Sequence, residues 1–357
     1  MINVGKVYLP NKNKLFKYIK RIYRSGQITN NGILQKELEK KLKAYFGVSN
    51  VILVANGSLA LQLSYKALNL SGNVITSPFS FISTSSTLLW ENLKPNFVDI
   101  NPRTLNLDLL KIEIKINKHT SAILPVHVFG NSCDIGNILK IAKKHNLKVI
   151  FDASHSFGIK YNNKSVLSYG DISTISFHAT KVFHTIEGGA IITNNSKLAE
   201  KIRMMLNFGI DQHSKIKNIG INAKINEFEA AMGLCILDDY YKINKSRESI
   251  WNKYKRELNQ LVDFQELNKQ SNNNFSYFPV IFKNETQLKR IFNTLKKNHI
   301  YAKRYFYPSL DTLKFISERE HCPISINIAK RILCLPIFFG MENKTQKKII
   351  SIIIDNI

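Results

Sequence analysis

The sequence predicts an α/β fold with a mostly parallel sheet that helices cover on both faces. Between about residues 50 and 195, short apolar runs alternate with segments that carry apolar residues at helical spacing. This alternation is typical of strand–helix–strand units, which place parallel strands side by side. After residue 225 one long helical stretch follows, and the pattern then indicates a smaller α+β unit. We therefore expect two domains.

The elements of the larger domain follow in order. Residues 34–46 form an amphipathic helix that ends at Gly47. The predicted strands cover residues 51–55, 73–76, 95–98, 122–126, 148–151, 173–177 and 189–193. Helices are expected between them, for example over 135–145, where apolar residues recur at helical spacing among lysines.

The last third of the chain predicts the smaller domain. A helix over about 225–258 leaves the sheet domain, and the polar segment 268–274 then forms a loop. An apolar run at 277–282, a helix at 285–298 and an amphipathic helix at 347–354 complete the α+β unit. We expect a large domain over 1–240, including the N-terminal segment, and a small domain over 241–357. The boundary falls within the long helix.

The chain has 357 residues and a formal net charge of +25, which raises the question of a nucleic-acid partner. Lysines are spread along its whole length, and we find neither a zinc-finger spacing nor a basic stripe interleaved with aromatic residues. An anionic small substrate fits the same charge. We therefore expect no nucleic-acid partner, and keep a basic DNA-binding regulator as the alternative from a different functional class.

The cysteines indicate the compartment. Cys133, Cys235, Cys322 and Cys334 are widely spaced and form no C-x-x-C or zinc pattern, so we expect reduced thiols, no metal site and a cytoplasmic protein. The first residues lack the layout of a signal peptide, and no apolar run approaches the length of a membrane span. No membrane partner is expected.

The most informative residues are Lys181 and Asp152. Lys181 ends the segment Ser-Phe-His-Ala-Thr-Lys after one predicted strand, and Asp152 ends another strand about thirty residues earlier. Pyridoxal phosphate (PLP) chemistry needs this pair. The lysine amine forms a Schiff base with the cofactor aldehyde and later moves protons. The aspartate pairs with the pyridinium nitrogen and keeps it protonated.

Further candidates surround this pair. Gly57 and Ser58 lie where a strand turns into a helix, so bare amides with Ser58 as N-cap could hold a phosphate, although a plain helix cap is the simpler interpretation. The hydroxyl of Ser176 could reach the same phosphate. Phe81 could stack on the pyridine ring, although an isolated aromatic residue is more often part of the core. His155 could bind the 3-hydroxyl group or stack on the ring, although a lone histidine is usually a hydrogen-bonded structural residue. All of these lie at predicted carboxyl ends of strands, where ligands gather in parallel sheets.

Together these blocks resemble the DegT/StrS-type sugar aminotransferases, a branch of the fold-type I PLP enzymes. The resemblance covers nearly the whole chain. Its blocks are residues 25–32, 38–39, 56–61, 124–130, 152–155, 176–181, 187–189, 220–227, 304–308 and 335–336. It implies an aspartate aminotransferase-like fold, with a mostly parallel sheet in the large domain and a smaller α+β C-terminal domain.

The resemblance also implies the roles of single residues. Lys181 is the Schiff-base lysine, Asp152 the pyridinium partner and Phe81 the stacking aromatic residue. The remaining cofactor contacts it implies are Gly57, Ser58 and Ser176 at the phosphate, His155 at the 3-hydroxyl side, and Asn222 reaching the phosphate from the neighbouring subunit. A homodimer with shared active sites follows. Val182, Phe81 and Ser58 depart from the asparagine, the tryptophan or tyrosine, and the threonine common in the family, and Val182 leaves the sugar geometry open.

The implied reaction is amino transfer, with glutamate as donor, to a nucleotide-linked 4-keto-6-deoxyhexose, most simply a dTDP sugar. The segment from His178 to Gly189 and the Asp-Ala-Ser-His turn at 152–155 resemble the subgroup that makes dTDP-4-amino-4,6-dideoxyglucose for surface polysaccharides such as the lipopolysaccharide O-antigen. A 3-ketosugar aminotransferase is the nearest alternative. A sugar dehydratase of the same fold has histidine in place of the lysine, and Lys181 argues against it.

Overall fold

The computed structural model describes residues 1–211, 213–316 and 321–357. The helices are α1 (Lys12–Ser25), α2 (Ile33–Phe46), α3 (Gly57–Ala67), α4 (Ile82–Trp90), α5 (Leu109–Lys115), α6 (Ile135–Lys144), α7 (Ser196–Met205), α8 (Glu227–Glu257), α9 (Glu285–Lys297), α10 (Pro323–Arg331) and α11 (Asn343–Ile354). The strands are β1 (Ile2–Asn3), β2 (Asn50–Val54), β3 (Asn73–Thr76), β4 (Lys94–Phe97), β5 (Thr120–Leu124), β6 (Lys148–Asp152), β7 (Lys160–Tyr161), β8 (Lys164–Ser165), β9 (Ile172–Ser176), β10 (Gly189–Thr193), β11 (Asp263–Phe264), β12 (Pro279–Ile281), β13 (Ile300–Tyr301) and β14 (Ile332–Cys334).

The central sheet has the strand order β2-β10-β9-β6-β5-β3-β4. All neighbouring pairs are parallel except those of β10, which runs antiparallel to β2 and β9. The predicted mostly parallel α/β sheet is confirmed. Because β10 is reversed, its first residue, Gly189, lies opposite Ser176 at the edge where β9 ends.

Helices cover both faces of this sheet, as predicted. Along β2, Val51 and Leu53 point into one apolar cluster, whereas Ile52 and Val54 point into another. This alternation is the period of a strand that is buried on both faces. The first cluster also holds buried residues of α2, α6 and α8, and the second those of α3 and α7.

The C-terminal part has its own apolar core. The sheet β11-β12-β14 packs with α9, α11 and the last turns of α8, through buried side chains such as Tyr254, Leu288 and Ile353. The predicted boundary at residue 240 falls within α8, which runs through it without a break. Strand β1 pairs with β13, so the N-terminal residues reach this smaller unit. The division into 1–240 and 241–357 stays a prediction.

Two further observations bear on the sequence analysis. Helix α1, which the sequence analysis did not predict, buries Ile22 in the same cluster as α2 and α8. All four cysteines are buried, and none of them forms a disulfide. Within the described ranges, no helix combines the length and the apolar character needed to span a bilayer.

Candidate active site

The carboxyl ends of the parallel strands open into a cleft with a volume of about 300 Å³. Seven of the eight predicted site residues line it: Gly57, Ser58, Phe81, Asp152, His155, Ser176 and Lys181. They come from the ends of β2, β3, β6 and β9, which are distant in sequence but share one edge of the sheet. The fold therefore brings these seven residues together in one cleft, as the sequence analysis predicted.

Lys181 lies in the turn that follows β9, where its backbone N–H donates to the carbonyl of His178 at 2.9 Å. Its Nζ lies 3.5 Å from the hydroxyl of Tyr277. Burial lowers the pKa of Lys181 to about 8; nearby Asp152 opposes this shift and the positive charge of Lys303 adds to it. A larger share of this amine is therefore neutral near pH 8 than in an ordinary lysine, and the neutral form is the nucleophile.

Asp152 is the last residue of β6 and is 5% exposed. The hydroxyl of Thr84 donates to its Oδ2 at 2.9 Å, and the backbone N–H and hydroxyl of Ser154 donate to its Oδ1 at 3.1 and 2.6 Å. Hydrogen bonds of this kind stabilise the ionised carboxylate. Each carboxylate oxygen can accept more than one hydrogen bond, so the group can still pair with a cation in the cleft.

The helix start at Gly57 forms a second polar part of the cleft. The N-cap of α3 is Asn56, whose side chain accepts from Leu59 N at 2.9 Å, so the prediction of Ser58 as N-cap is wrong. Asn56 takes this role because its backbone is extended just before the helix, whereas Ser58 already lies within the helix. The hydroxyls of Ser58 and Ser83 lie 2.6 Å apart.

At this helix start, the backbones of Gly57 and Ser176 approach each other closely. A Cβ atom at Gly57 would lie 3.0 Å from Cβ of Ser176, so glycine lets the first turn of α3 meet the end of β9. Amides in the first turn of a helix have no intrahelical partner. The hydroxyls of Ser58 and Ser176 therefore lie near the positive end of a helix. Hydroxyls and free amides of this kind bind phosphate groups.

His155 is held as a neutral ring. The backbone N–H of Phe129 donates to its Nδ1 at 3.1 Å, which leaves the proton on Nε2. Burial, and then the charge of Lys181, lower the pKa of His155 well below its usual range. Phe81 is instead 57% exposed and lines the same cleft, where it offers an aromatic face to a planar ligand.

The smaller unit closes the cleft with residues to which the sequence analysis gave no role. Tyr277, Lys303, Tyr305 and Phe306 all line it. Tyr305 and Phe306 belong to a sequence block counted in the family resemblance, but nothing in that block shows that it faces Lys181. Thr84 was also missed, since only the fold brings α4 beside the end of β6.

Asn222 lies outside this cleft. It is exposed and bridges Asn207 in an isolated antiparallel contact. Several apolar side chains of the same region are exposed as well, among them Phe208, Ile219, Ile221 and Phe228. Asn222 does not line the cleft of its own chain, so its contact with the phosphate stays a prediction about a dimer.

Comparison with known proteins gives the family. Residues 11–354 match the model of the DegT/DnrJ/EryC1/StrS aminotransferase family. The chain belongs to this family. Among its relatives, the dTDP-4-amino-4,6-dideoxy-D-glucose transaminase of Shigella dysenteriae is 41% identical over 99% of this chain and 98% of its own length. The Escherichia coli protein of the same name is 34% identical over the same shares.

A solved structure supports the assignment to this family. The crystal structure of DesI in the presence of its TDP-sugar product has a TM-score of 0.93 and 30% identity, and the match covers 98% of this chain and 91% of that one. The predicted family and the predicted aminotransferase class are confirmed. The residues of this aminotransferase fit PLP. Lys181 has an amine of lowered pKa, Asp152 is a buried carboxylate, and Gly57 leaves room at the start of α3.

Proposed function

We propose that this aminotransferase transfers an amino group from glutamate to C4 of a nucleotide-linked 4-keto-6-deoxyhexose, most simply a dTDP sugar. The observation that carries the proposal is the pairing of Lys181 with Asp152 in one cleft of a chain from this family. The relatives of 41% and 34% identity, both named for the 4-amino product, support C4 as the site of amination.

The residues divide the work as follows. Bound PLP supplies an electron sink for the bond cleavage at the donor carbon. Lys181 would hold the cofactor through its amine, and the same amine would serve as the proton carrier at the donor carbon. Asp152 would pair through its charge with the pyridine nitrogen, while Thr84 and Ser154 fix the direction of its oxygens.

The other predicted residues orient the cofactor. Gly57, Ser58 and Ser176 would hold the phosphate, and Ser83 supports Ser58. His155 presents its Nε2–H as a donor from a ring that stays neutral, so it suits the 3-hydroxyl oxygen. Phe81 would cover one face of the ring.

The proposal includes a homodimer in which Asn222 completes the phosphate site of the other subunit. The exposed apolar side chains near Asn222 support an interface there, because such a cluster is costly to leave in water. We also propose a cytoplasmic location and a role in making surface polysaccharide, such as an O-antigen, since nucleotide-linked sugars are the activated precursors.

Two alternatives remain to be tested against this function. Amination at C3 needs the same residues and differs only in how the sugar sits over the cofactor. A DNA-binding regulator would use the positive charge instead, and its binding would weaken steeply with salt. The named relatives favour amination at C4, and the cleft that holds Lys181 and Asp152 favours an aminotransferase over a DNA-binding regulator.

The test incubates purified protein, PLP and glutamate with 4-keto and 3-keto sugars linked to dTDP, UDP and GDP, and identifies each product by NMR. We expect a 4-amino-4,6-dideoxyhexose, with the dTDP sugar as the preferred acceptor. Formation of a 3-amino sugar alone would reject the regiochemistry. No amino transfer by cofactor-loaded protein to any of these sugars would reject the function.

Lys181→Ala is the matched control for that experiment. It should abolish amino transfer, because the amine that holds the cofactor and moves the proton is gone. Borohydride treatment of the wild-type protein with PLP, followed by peptide mass spectrometry, should place the cofactor on Lys181. Labelling of a different lysine would contradict the assignment.

A further inference from the structure

A second, smaller cavity adjoins the cleft at Lys181. Its volume is about 80 Å³, and it shares Lys181, Tyr277 and Tyr305 with the main cleft. Its wall comes from the N-terminal segment before α1, from α8 and from the segment after β14, and most of these side chains are apolar. Apart from Lys181, its charged residues are Lys6, which is exposed, and Arg247 of α8, which is buried.

Arg247 is 9% exposed and has no acidic partner among the described residues. Its Nε donates to the carbonyl of Phe275 at 3.0 Å, and its Nη2 donates to the carbonyl of Ser276 at 2.5 Å. Nη1 donates to no described residue. Burial lowers the pKa of Arg247 to about 10, which still leaves it charged at neutral pH.

A buried cation without a counter-ion is costly, and an arginine retained in this state commonly serves to bind an anion. The two backbone hydrogen bonds fix the plane of the guanidinium, and the apolar wall strengthens any ionic contact made there. Ser276, which Arg247 contacts, precedes Tyr277, whose hydroxyl lies 3.5 Å from the Lys181 amine. Arg247 and Lys181 also line the same small cavity, so a ligand in that cavity can reach both side chains.

We propose that Arg247 binds a carboxylate of the amino donor. This inference rests on the proposed function, because it assigns the donor site of the same reaction. The amine of the donor must take the place of the Lys181 amine, and an amino acid carries its α-carboxylate on the carbon next to that amine. Among the residues that line the two cavities, Arg247 is the buried guanidinium. It can bind a carboxylate by donating one hydrogen bond or two parallel ones.

The test compares Arg247→Met and Arg247→Lys with wild-type protein in single half-reactions. With glutamate as donor, we expect Arg247→Met to raise the donor concentration needed for half-maximal rate about tenfold or more, and Arg247→Lys to raise it less. The half-reaction that passes the amino group to the ketosugar should keep its concentration dependence. Alanine as donor distinguishes the two carboxylates of glutamate: an equal loss indicates the α-carboxylate, and a loss with glutamate alone indicates the side chain.

A binding measurement accompanies the kinetics. Glutarate has both carboxylates and no amine, so it can bind the holoenzyme without reacting. We expect glutarate to raise the thermal unfolding temperature of the wild-type holoenzyme and to raise that of Arg247→Met much less at the same concentration. Arg331→Met is the matched control, because Arg331 also donates to a backbone carbonyl, that of Phe282, but does not line either cavity.

The outcomes separate this inference from the proposed function. A purely structural Arg247 would lower the unfolding temperature of the variant but leave its glutamate dependence and its glutarate response unchanged, which would overturn the inference. If the wild-type holoenzyme itself fails to react with glutamate or with any other amino acid, the proposed function fails instead.

Discussion

The carboxylate of Asp152 accepts hydrogen bonds from the neutral donors Thr84 and Ser154. It also faces the part of the cleft that the cofactor would fill. Replacing it by asparagine keeps the shape but removes the charge. We expect Asp152→Asn to lower kcat/KM about a thousandfold or more, because a neutral amide cannot hold the proton on the pyridine nitrogen.

The measurement is the steady-state rate with saturating PLP, together with circular dichroism to verify the fold. Asp171→Asn is a matched control, since Asp171 also accepts a backbone N–H, from Val149, but lies outside the cleft. The control should keep most of its activity. A similar activity for Asp152→Asn would mean that Asp152 is structural.

The lowered pKa of Lys181 gives a prediction about pH. Only the neutral amine adds to an aldehyde, and the neutral fraction rises as pH passes through a pKa of about 8. The rate at which cofactor-free protein captures PLP, followed by absorbance, should therefore rise towards pH 8 and level off above it. An ordinary lysine would keep gaining rate up to much higher pH.

Lys303→Met serves as the variant for this experiment. The positive charge of Lys303 lowers the pKa of Lys181, so its removal should move the profile to higher pH. An identical profile in wild type and variant would mean that Lys303 does not lower the pKa of Lys181. A wild-type rate that keeps rising to strongly alkaline pH would mean that the Lys181 amine is not buried as described.

For single residues, the sequence is sufficient to identify site residues that lie directly after a predicted strand. Lys181 and Asp152 were found in this way. The partners of those residues could not be found, because Thr84 and Tyr277 meet the site only through the packing of α4 and of the smaller unit. The cap of α3 was misplaced by two residues, since asparagine and serine both suit that role and only the backbone conformation decides between them.

Among the helices, α2 depends on a residue that lies far from it in sequence. Its N-cap, Gly32, has no side chain to satisfy the first amides. The buried carboxylate of Glu227, at the start of α8, accepts from the backbone N–H groups of Leu34 and Gln35 at 2.8 Å each. A negative charge is favourable at this end of a helix. Glycine at position 32 leaves room for it, since a Cβ there would overlap the Glu227 side chain.

We expect Glu227→Ala to lower the free energy of unfolding by about 3 kcal/mol, because two buried amides lose their acceptor. Glu227→Gln keeps one acceptor oxygen and should cost less. Thermal or chemical denaturation measures both. Glu257→Gln, at the other end of α8, should leave the stability nearly unchanged, since that side chain is exposed and pairs with its neighbour Arg256. An equal effect at both positions would contradict the capping role.

The elements of the sheet could be predicted because apolar runs of strand length leave few alternatives. All seven predicted strands are present: two have the predicted bounds, and the ends of the other five are shifted by at most two residues. Helix α1 was not foreseen: its sequence is rich in lysine, and the small apolar side that it buries around Ile22 becomes visible only beside α8. The reversal of β10 could not be predicted either, since direction depends on which neighbours a strand finds.

For the whole molecule, the open question is the subunit arrangement. The region around Asn222 exposes Ile219 at 87% and Phe208 at 51%, although apolar side chains of this size are usually covered. None of the described residues of this region lines the cleft of its own chain. Both observations are expected if a second copy covers the apolar side chains and receives Asn222 at its phosphate site.

Mixing two inactive variants tests this arrangement. Lys181→Ala lacks the amine, and Asn222→Ala should bind PLP too weakly for turnover. If each site takes its lysine from one subunit and its asparagine from the other, a mixed dimer has one intact site and one site with both lesions. Random exchange of subunits should therefore restore up to about a quarter of wild-type activity. Mass spectrometry of differently tagged subunits verifies the exchange, and Ile219→Glu should prevent it by placing a charge in the interface. Verified exchange without recovery, given a severely impaired Asn222→Ala, would mean that Asn222 does not act across subunits.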